Sequence, residues 1–149
     1  MTALLDHPAI EALVPHKGSM CLLDSVQSSD ADRIHCTATS HTDPGNPLRS
    51  RSGLLASTAI EYAAQAAAVH GALVLRSSGH AGQPGFLASA RGVAFHCLRL
   101  DDLPGELDVH AERSAGDARQ LMYTFDVSHR GQLVAHGRLA VVLDTAIGA

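Results

Sequence analysis

The chain has 149 residues, 15 acidic side chains against 11 basic ones, and a formal net charge of −4 with histidine neutral. That balance, with no Lys/Arg cluster, argues against nucleic acid as a partner. The length suits one domain with a real core, expected to span residues 1–149, and 46% apolar residues with only 3% aromatic means a core built on Leu, Val and Ala.

Residues 7–14, HPAIEALV, read as a short helix with Pro8 in the first turn, where its missing N–H costs nothing. Pro15 to Gly18 ends it. Met20 to Val26 is a short apolar run that begins a strand, Ser28 to Asp32 is a polar turn, and Arg33 to Thr39 alternates with Ile34, Cys36 and Ala38 on one face. The two runs are expected to pair as a hairpin. Ser40 to Ser52 is a loop with a Pro-Gly turn.

The longest helical stretch follows, Gly53 to Arg76, GLLASTAIEYAAQAAAVHGALVLR. Ser52 is the expected cap, and Gly79 stands where the helix would stop. The stretch is apolar nearly all round, so it should be buried on every side. With Glu61, Gln65, His70 and Arg76 inside it, it makes a poor membrane span. Glu61 is its oddity, because a carboxylate among apolar walls must be paired, hydrogen-bonded or kept protonated. Thr58, Glu61, Tyr62 and Gln65 fall at i, i+3, i+4 and i+7, a polar strip along one side.

After a loop over residues 78–85 the chain is β in character. Phe86 to Leu98 is extended with a bend at Gly92. Leu107, Val109 and Ala111 alternate with Asp108, His110 and Glu112, and Leu121, Tyr123, Phe125 and Val127 form the next inward set. His129-Arg130-Gly131 turns the chain into Leu133, Ala135, Gly137, Leu139, Val141 and Leu143. Short turns make the last three strands an antiparallel meander. One apolar helix and a curved sheet then call for an α+β hotdog fold: an antiparallel sheet wrapped around a central helix, with two copies docked side by side.

Ten histidines are scattered without an H-x-x-x-H pair, and Cys21, Cys36 and Cys97 form no C-x-x-C. No metal site is expected, and the cysteines read as reduced core thiols of a cytoplasmic protein. The N-terminus, broken by Asp6, His7 and Pro8 and lacking a basic n-region, does not read as a signal peptide. His96, His110 and His136 should sit on the sheet's polar face, His70 at an interface, and His16 in a loop-holding role.

Pro15-His16-Lys-Gly-Ser-Met20-Cys-Leu-Leu-Asp24-Ser-Val26 and Ile60-Glu61-Tyr62-Ala-Ala64-Gln65 resemble two motifs of the β-hydroxyacyl-acyl-carrier-protein dehydratase superfamily. They are P-H-x-x-x-M-x-L-L-D-x-V and the E-x-x-A-Q signature of its central helix. Pro47-Leu48 through Gly53-Leu54, followed by Ile60 to Gln65, is similar to the dehydratase-like proteins of aryl-polyene lipid clusters. The resemblance implies dehydration of a 3-hydroxyacyl thioester, carried on acyl carrier protein or CoA, to the trans-2-enoyl thioester. A loop His is the base, the helix carboxylate serves the leaving hydroxyl, and backbone N–H groups hold the thioester oxygen. The two side chains come from opposite subunits of a homodimer or heterodimer.

Carried over, the catalytic pair is Glu61 and His41, with Thr58, Tyr62, Gln65, Gly53, Leu54 and Arg49 as substrate contacts. Arg49 and Arg51 are candidates for a pantetheine phosphate. The chain departs from the pattern in three places: Thr42 stands where the loop His should and His41 is one place off, the segment from Pro47 to Glu61 is longer than in the housekeeping dehydratases, and Leu55 replaces a Pro. These departures leave two alternatives beside the dehydratase: a non-catalytic hotdog subunit supporting an active one, and an acyl thioesterase.

Overall fold

The computed structural model describes residues 3–77, 85–117 and 119–143. A two-residue strand β1 (Leu5–Asp6) leads into helix α1 (His7–Glu11), which the Asp6 side chain caps by accepting from Ala9 N at 3.1 Å. A 3-10 turn at Gly18–Met20 precedes strands β2 (Ser25–Ser29) and β3 (Arg33–Ala38). Between them Asp30 Oδ1 accepts from the N–H groups of Asp32 and Arg33 at 2.8 and 2.9 Å, an Asx-type turn. Further 3-10 turns at Ser40–Thr42 and Ala56–Thr58 frame the loop before helix α2 (Ala59–Ser77). Strands β4 (Gly85–Phe95), β5 (Leu107–Gly116), β6 (Gln120–His129) and β7 (Gln132–Leu143) complete the described residues.

The seven strands of the described residues form one sheet in the order β1-β2-β3-β5-β6-β7-β4, every pairing antiparallel. α2 packs against β3 to β7 on the concave side. This is the expected hotdog fold. The alternation seen in the sequence decides the inner face: Ile34, Cys36, Leu107, Val109, Ala111, Tyr123, Phe125 and Val127 are buried around the helix. His35, His96, His110 and His136 fall on the outer face in two stacked pairs, His35 on His110 and His96 on His136. Arg130 and Gly131 both take positive φ, 51° and 80°, as the two-residue β6–β7 hairpin requires. Gly92, at φ 59°, bends β4 where its register with β7 slips between Arg91 and Ala94.

Four expectations need correction. The helix begins at Ala59 rather than Gly53, because Gly53 at φ 93° closes a tight turn with Ser50 instead. Ser52 therefore caps nothing; its N–H donates to Ser50 Oγ at 3.2 Å. Leu133 is 44% exposed and Val134 takes its inward place, because the β6–β7 register slips there and reverses the alternation. The Met20 to Val26 run becomes a strand only from Ser25. Gly79 lies outside the described residues.

The cysteines are free, and burial raises all three thiols, Cys36 to about 12. Among the described residues no helix is long and apolar enough to cross a membrane, and no cluster of His, Cys, Asp or Glu is arranged to hold a metal ion.

Candidate active site

The Ala-rich inner face of α2 lies close to the sheet: Ala59, Tyr62, Ala63, Ala66, Ala67 and Val69 are all fully buried. The opposite side is not covered. Ser57 is exposed, and Ile60, Glu61, Ala64, Ala68 and Leu75 are only half-buried, a run that keeps to one face of the helix. The rod that its composition would bury all round is thus open along one strip. Glu61 sits on that strip, and among the described residues its carboxylate has no hydrogen-bond or ion-pair partner. Near the helix start Leu55 and Leu98 add uncovered apolar surface at 46% and 88% exposure.

The other polar residues of the expected strip are committed to the protein itself, Tyr62 and Gln65 by turning inward. Gln65 Oε1 accepts from Leu22 N at 2.8 Å and its Nε2 donates to Met20 O at 2.7 Å, so Gln65 pins the loop that leads into β2. The Tyr62 hydroxyl lies 2.8 Å from Ser40 Oγ and accepts from Asn46 Nδ2 at 3.2 Å. Asn46 Nδ2 also donates to Ser40 O, and Ser40 Oγ donates to Leu22 O. This network ties the loop carrying His41 to the helix. Thr58 Oγ1 donates to Leu55 O at 2.6 Å. Gly53 N–H is taken by Ser50 O at 3.0 Å and Leu54 N–H by the Asp101 carboxylate at 3.0 Å, so neither offers its N–H to a substrate oxygen. Arg49 lies 3.3 Å from Asp101, an ion pair that competes with any phosphate. Of the residues carried over by resemblance, Glu61 alone keeps its functional group unspent on an open surface.

His41 is fully buried in the 3-10 turn after β3. Its Nε2 lies 2.8 Å from Leu103 O. A carbonyl only accepts, so Nε2 carries the hydrogen and Nδ1 of the neutral ring carries the lone pair. That Nδ1 is buried without a partner. Burial lowers the His41 pKa, which keeps the ring neutral and its lone pair available. The ring is therefore in the right state for a base, but it is closed off from solvent in the single chain. A cleft of about 600 Å³ on this end is lined by Cys21, Asp24, Thr39, Thr42 and Asn46, and not by His41 or Glu61.

Two other histidines differ from expectation. His70 is a core residue, fully buried: its Nε2 donates to Asp30 O and its Nδ1 accepts from the Tyr123 hydroxyl, both at 2.8 Å. His16 is not the loop holder, its Nδ1 being buried without a partner; Lys17 Nζ on Val14 O and Glu11 on Gly18 N hold that turn. Sequence reasoning missed Ser40, Asn46, Asp101 and Leu103. Only Asn46, in its Pro-Gly-Asn-Pro turn, carried any local signal.

The comparisons with known proteins bear on the family and the fold. The model of the ApeP-like family, described as ApeP dehydratase, matches residues 8–147. No curated protein matches the sequence. Among solved structures, the dehydratase heterocomplex ApeI:P from Xenorhabdus doucetiae is similar at TM-score 0.83 and 23% identity, over 93% of this chain and 92% of that one. AziG from S. sahachiroi gives TM-score 0.58 and 18% identity, over 81% of this chain and 90% of that one. A variant of the thioesterase PA1618 from Pseudomonas aeruginosa gives 0.58 and 13%, over 80% and 79%. At these identities the structures speak to the fold.

Proposed function

The chain belongs to the ApeP-like family, described as ApeP dehydratase, and on that premise we propose that it dehydrates a 3-hydroxyacyl thioester at a pocket completed by a second hotdog subunit. The observation that carries this reading is Glu61, a carboxylate that among the described residues has no partner, on the open strip of an otherwise buried helix. A subunit laid along that strip would exclude water from Glu61, and exclusion of water favours the neutral carboxyl that an acid needs.

In the reaction His41 Nδ1 takes the C2 proton of the substrate. The C3–O bond breaks, the Glu61 carboxyl protonates the departing hydroxyl as water, and the electron pair left at C2 forms the trans-2 double bond. The proton on His41 then returns to Glu61 through solvent. No metal or organic cofactor enters this scheme. Thr58 and the uncovered apolar residues of the helix start, Leu55 among them, would contact the acyl chain, and Arg51 would meet the carrier's phosphate, Arg49 being held by Asp101. The substrate is a thioester of acyl carrier protein or CoA, in synthesis of the aryl-polyene type.

The burial of His41 favours a second reading, in which the chain supports an active dehydratase without turning over substrate itself. The likeness to a dehydratase heterocomplex fits either reading. The test incubates the pure chain, alone and with a second hotdog protein, with a 3-hydroxyacyl-carrier substrate, and follows enoyl product and free thiol together. Enoyl product that Glu61→Gln abolishes supports the proposal. Turnover with the second protein that survives Glu61→Gln supports the supporting-subunit reading. Release of free thiol without enoyl product makes the chain a thioesterase.

A further inference from the structure

The segment after β4 reaches both halves of this site, and Asp101 is where it is anchored. The Asp101 side chain is 3% exposed, yet it faces two guanidinium groups and a backbone amide. Oδ1 accepts from Leu54 N at 3.0 Å and from Arg99 Nε at 2.9 Å; Oδ2 accepts from Arg49 Nη2 at 3.3 Å and from Arg99 Nη2. The Arg99 guanidinium foremost, with the Leu54 N–H, holds the carboxyl well below the usual carboxylate range. Gly53 is packed directly on the group: a Cβ there would come within 2.6 Å of Arg99 Nη2 and of Asp101 Oδ2.

The backbone around Asp101 extends the connection in two directions. Toward the helix, Leu100 N donates to Leu54 O at 2.7 Å and Ala56 N to Leu98 O at 3.1 Å, fixing the approach to the turn from which α2 and Glu61 start. Toward the loop, Leu103 N donates to Leu100 O at 3.0 Å, and the Leu103 carbonyl then receives His41 Nε2–H. One carboxylate therefore anchors the strand-like approach to Glu61 and the carbonyl that sets the His41 tautomer.

We propose that Asp101 is a positioning residue of the dehydratase site, holding Leu103 O against His41 so that Nδ1 keeps its lone pair. This rests on His41 being the base. The charge is needed as well as the shape. An amide in place of the carboxylate turns one acceptor into a donor, which then faces guanidinium N–H groups with nothing to accept. The charged or titratable groups acting on the His41 ring are Asp24, Asp101 and His129.

The experiment compares Asp101→Asn with Asp102→Asn, which removes the same charge from the exposed neighbour. Two-bond ¹H–¹⁵N spectra of the histidine rings report the tautomer and titration of His41, assigned by its loss in His41→Gln. The wild-type chain and Asp102→Asn should show a single Nε2–H tautomer that resists protonation. Asp101→Asn should show both tautomers. In the enoyl assay with the second hotdog protein, Asp101→Asn should lower kcat by about tenfold or more with little change in KM. If Asp101→Asn fails to fold, Arg99→Gln, which removes the main donor to the same carboxylate, is read in the same way.

An unchanged tautomer in the folded variant overturns the proposal. An equal change in Asp102→Asn also overturns it, by making the effect one of charge alone. A shifted tautomer with unchanged kcat separates Asp101 from catalysis and overturns the positioning role. A shifted tautomer in a chain that never forms enoyl product leaves Asp101's hold on His41 intact and removes the dehydratase reading instead.

Discussion

Replacing Gln65 separates an anchor from a pocket residue. Its amide is 1% exposed and bridges Met20 O and Leu22 N, 45 and 43 residues away in sequence. In Gln65→Ala the Leu22 N–H is left buried without a partner, at a cost of about 1–3 kcal/mol. The Met20 carbonyl belongs to a residue 38% exposed and can turn to water, so it adds little. The lost side-chain methylene adds about 0.8 kcal/mol. The sum, roughly 2–4 kcal/mol, is a large part of a typical stability. It should lower the urea midpoint by about 1–2 M at unchanged slope.

Gln65→Glu sharpens the test. Its carboxylate still accepts from Leu22 N but has no proton to give Met20 O at neutral pH, so the variant should be destabilised there. Burial raises the pKa of such an acid, so the variant should recover part of the loss as pH falls through that raised value toward the unfolded one near 4.3, the protonated acid regaining a donor. A Gln65→Ala chain within about 0.5 kcal/mol of wild type would refute the anchoring argument. It would return Gln65 to the polar strip read from the sequence.

Tyr62→Phe removes the hydroxyl shared by Ser40 and Asn46 and should cost about 1–2 kcal/mol in thermal or urea melts, while Ser57→Ala on the exposed side should be neutral. Gly137→Ala would place a Cβ 2.9 Å from Val93 Cγ2 and 3.0 Å from Val93 Cα, a crossing of β7 and β4 that should cost about 1–3 kcal/mol. Burial depresses the pKa of both His41 and His70, so the unfolded chain binds the extra protons. Their contribution is complete above the unfolded value near 6.5 and is lost as pH falls from there through the folded values. Urea midpoints taken between pH 7.5 and 5.5 should fall with acidity, and His70→Gln should flatten part of the slope; a midpoint that rises would contradict the assignment. His110, raised by the Asp126 carboxylate beside it, works in the opposite sense but is half exposed and screened.

The strands were legible because inward and outward residues alternate at period two, and Leu107 to Ala111 and Leu121 to Val127 kept that pattern without interruption. The pattern failed at Leu133, where a register slip between paired strands, invisible in either strand alone, reversed the faces. The existence of α2 was legible from its length and composition. Its start was not, because the positive φ that Gly53 supplies served a turn with Ser50 rather than a helix entrance. The spacing of Thr58, Glu61, Tyr62 and Gln65 placed them on one side of the helix, but a 100° arc spans both an open strip and a packed flank. Tyr62 and Gln65 fell on the packed side because loop groups stood ready to bond them, the Ser40 and Asn46 side chains for Tyr62 and the Met20 and Leu22 backbone for Gln65. Asp101 was silent in the sequence: its partners Arg49 and Leu54 lie about fifty residues away and meet it only in the fold.

The most direct test of the account is single-turnover enoyl formation by Glu61→Gln, in the presence of the second hotdog subunit and at a pH where wild type is active. Glutamine keeps the size of the side chain but cannot donate the carboxyl proton to a leaving hydroxyl. General acid catalysis is worth about 10²–10⁴-fold, so the enoyl rate should fall by at least about a hundredfold while the urea midpoint stays at the wild-type value. An enoyl rate within about threefold of wild type would contradict the placement of Glu61 in the reacting pocket.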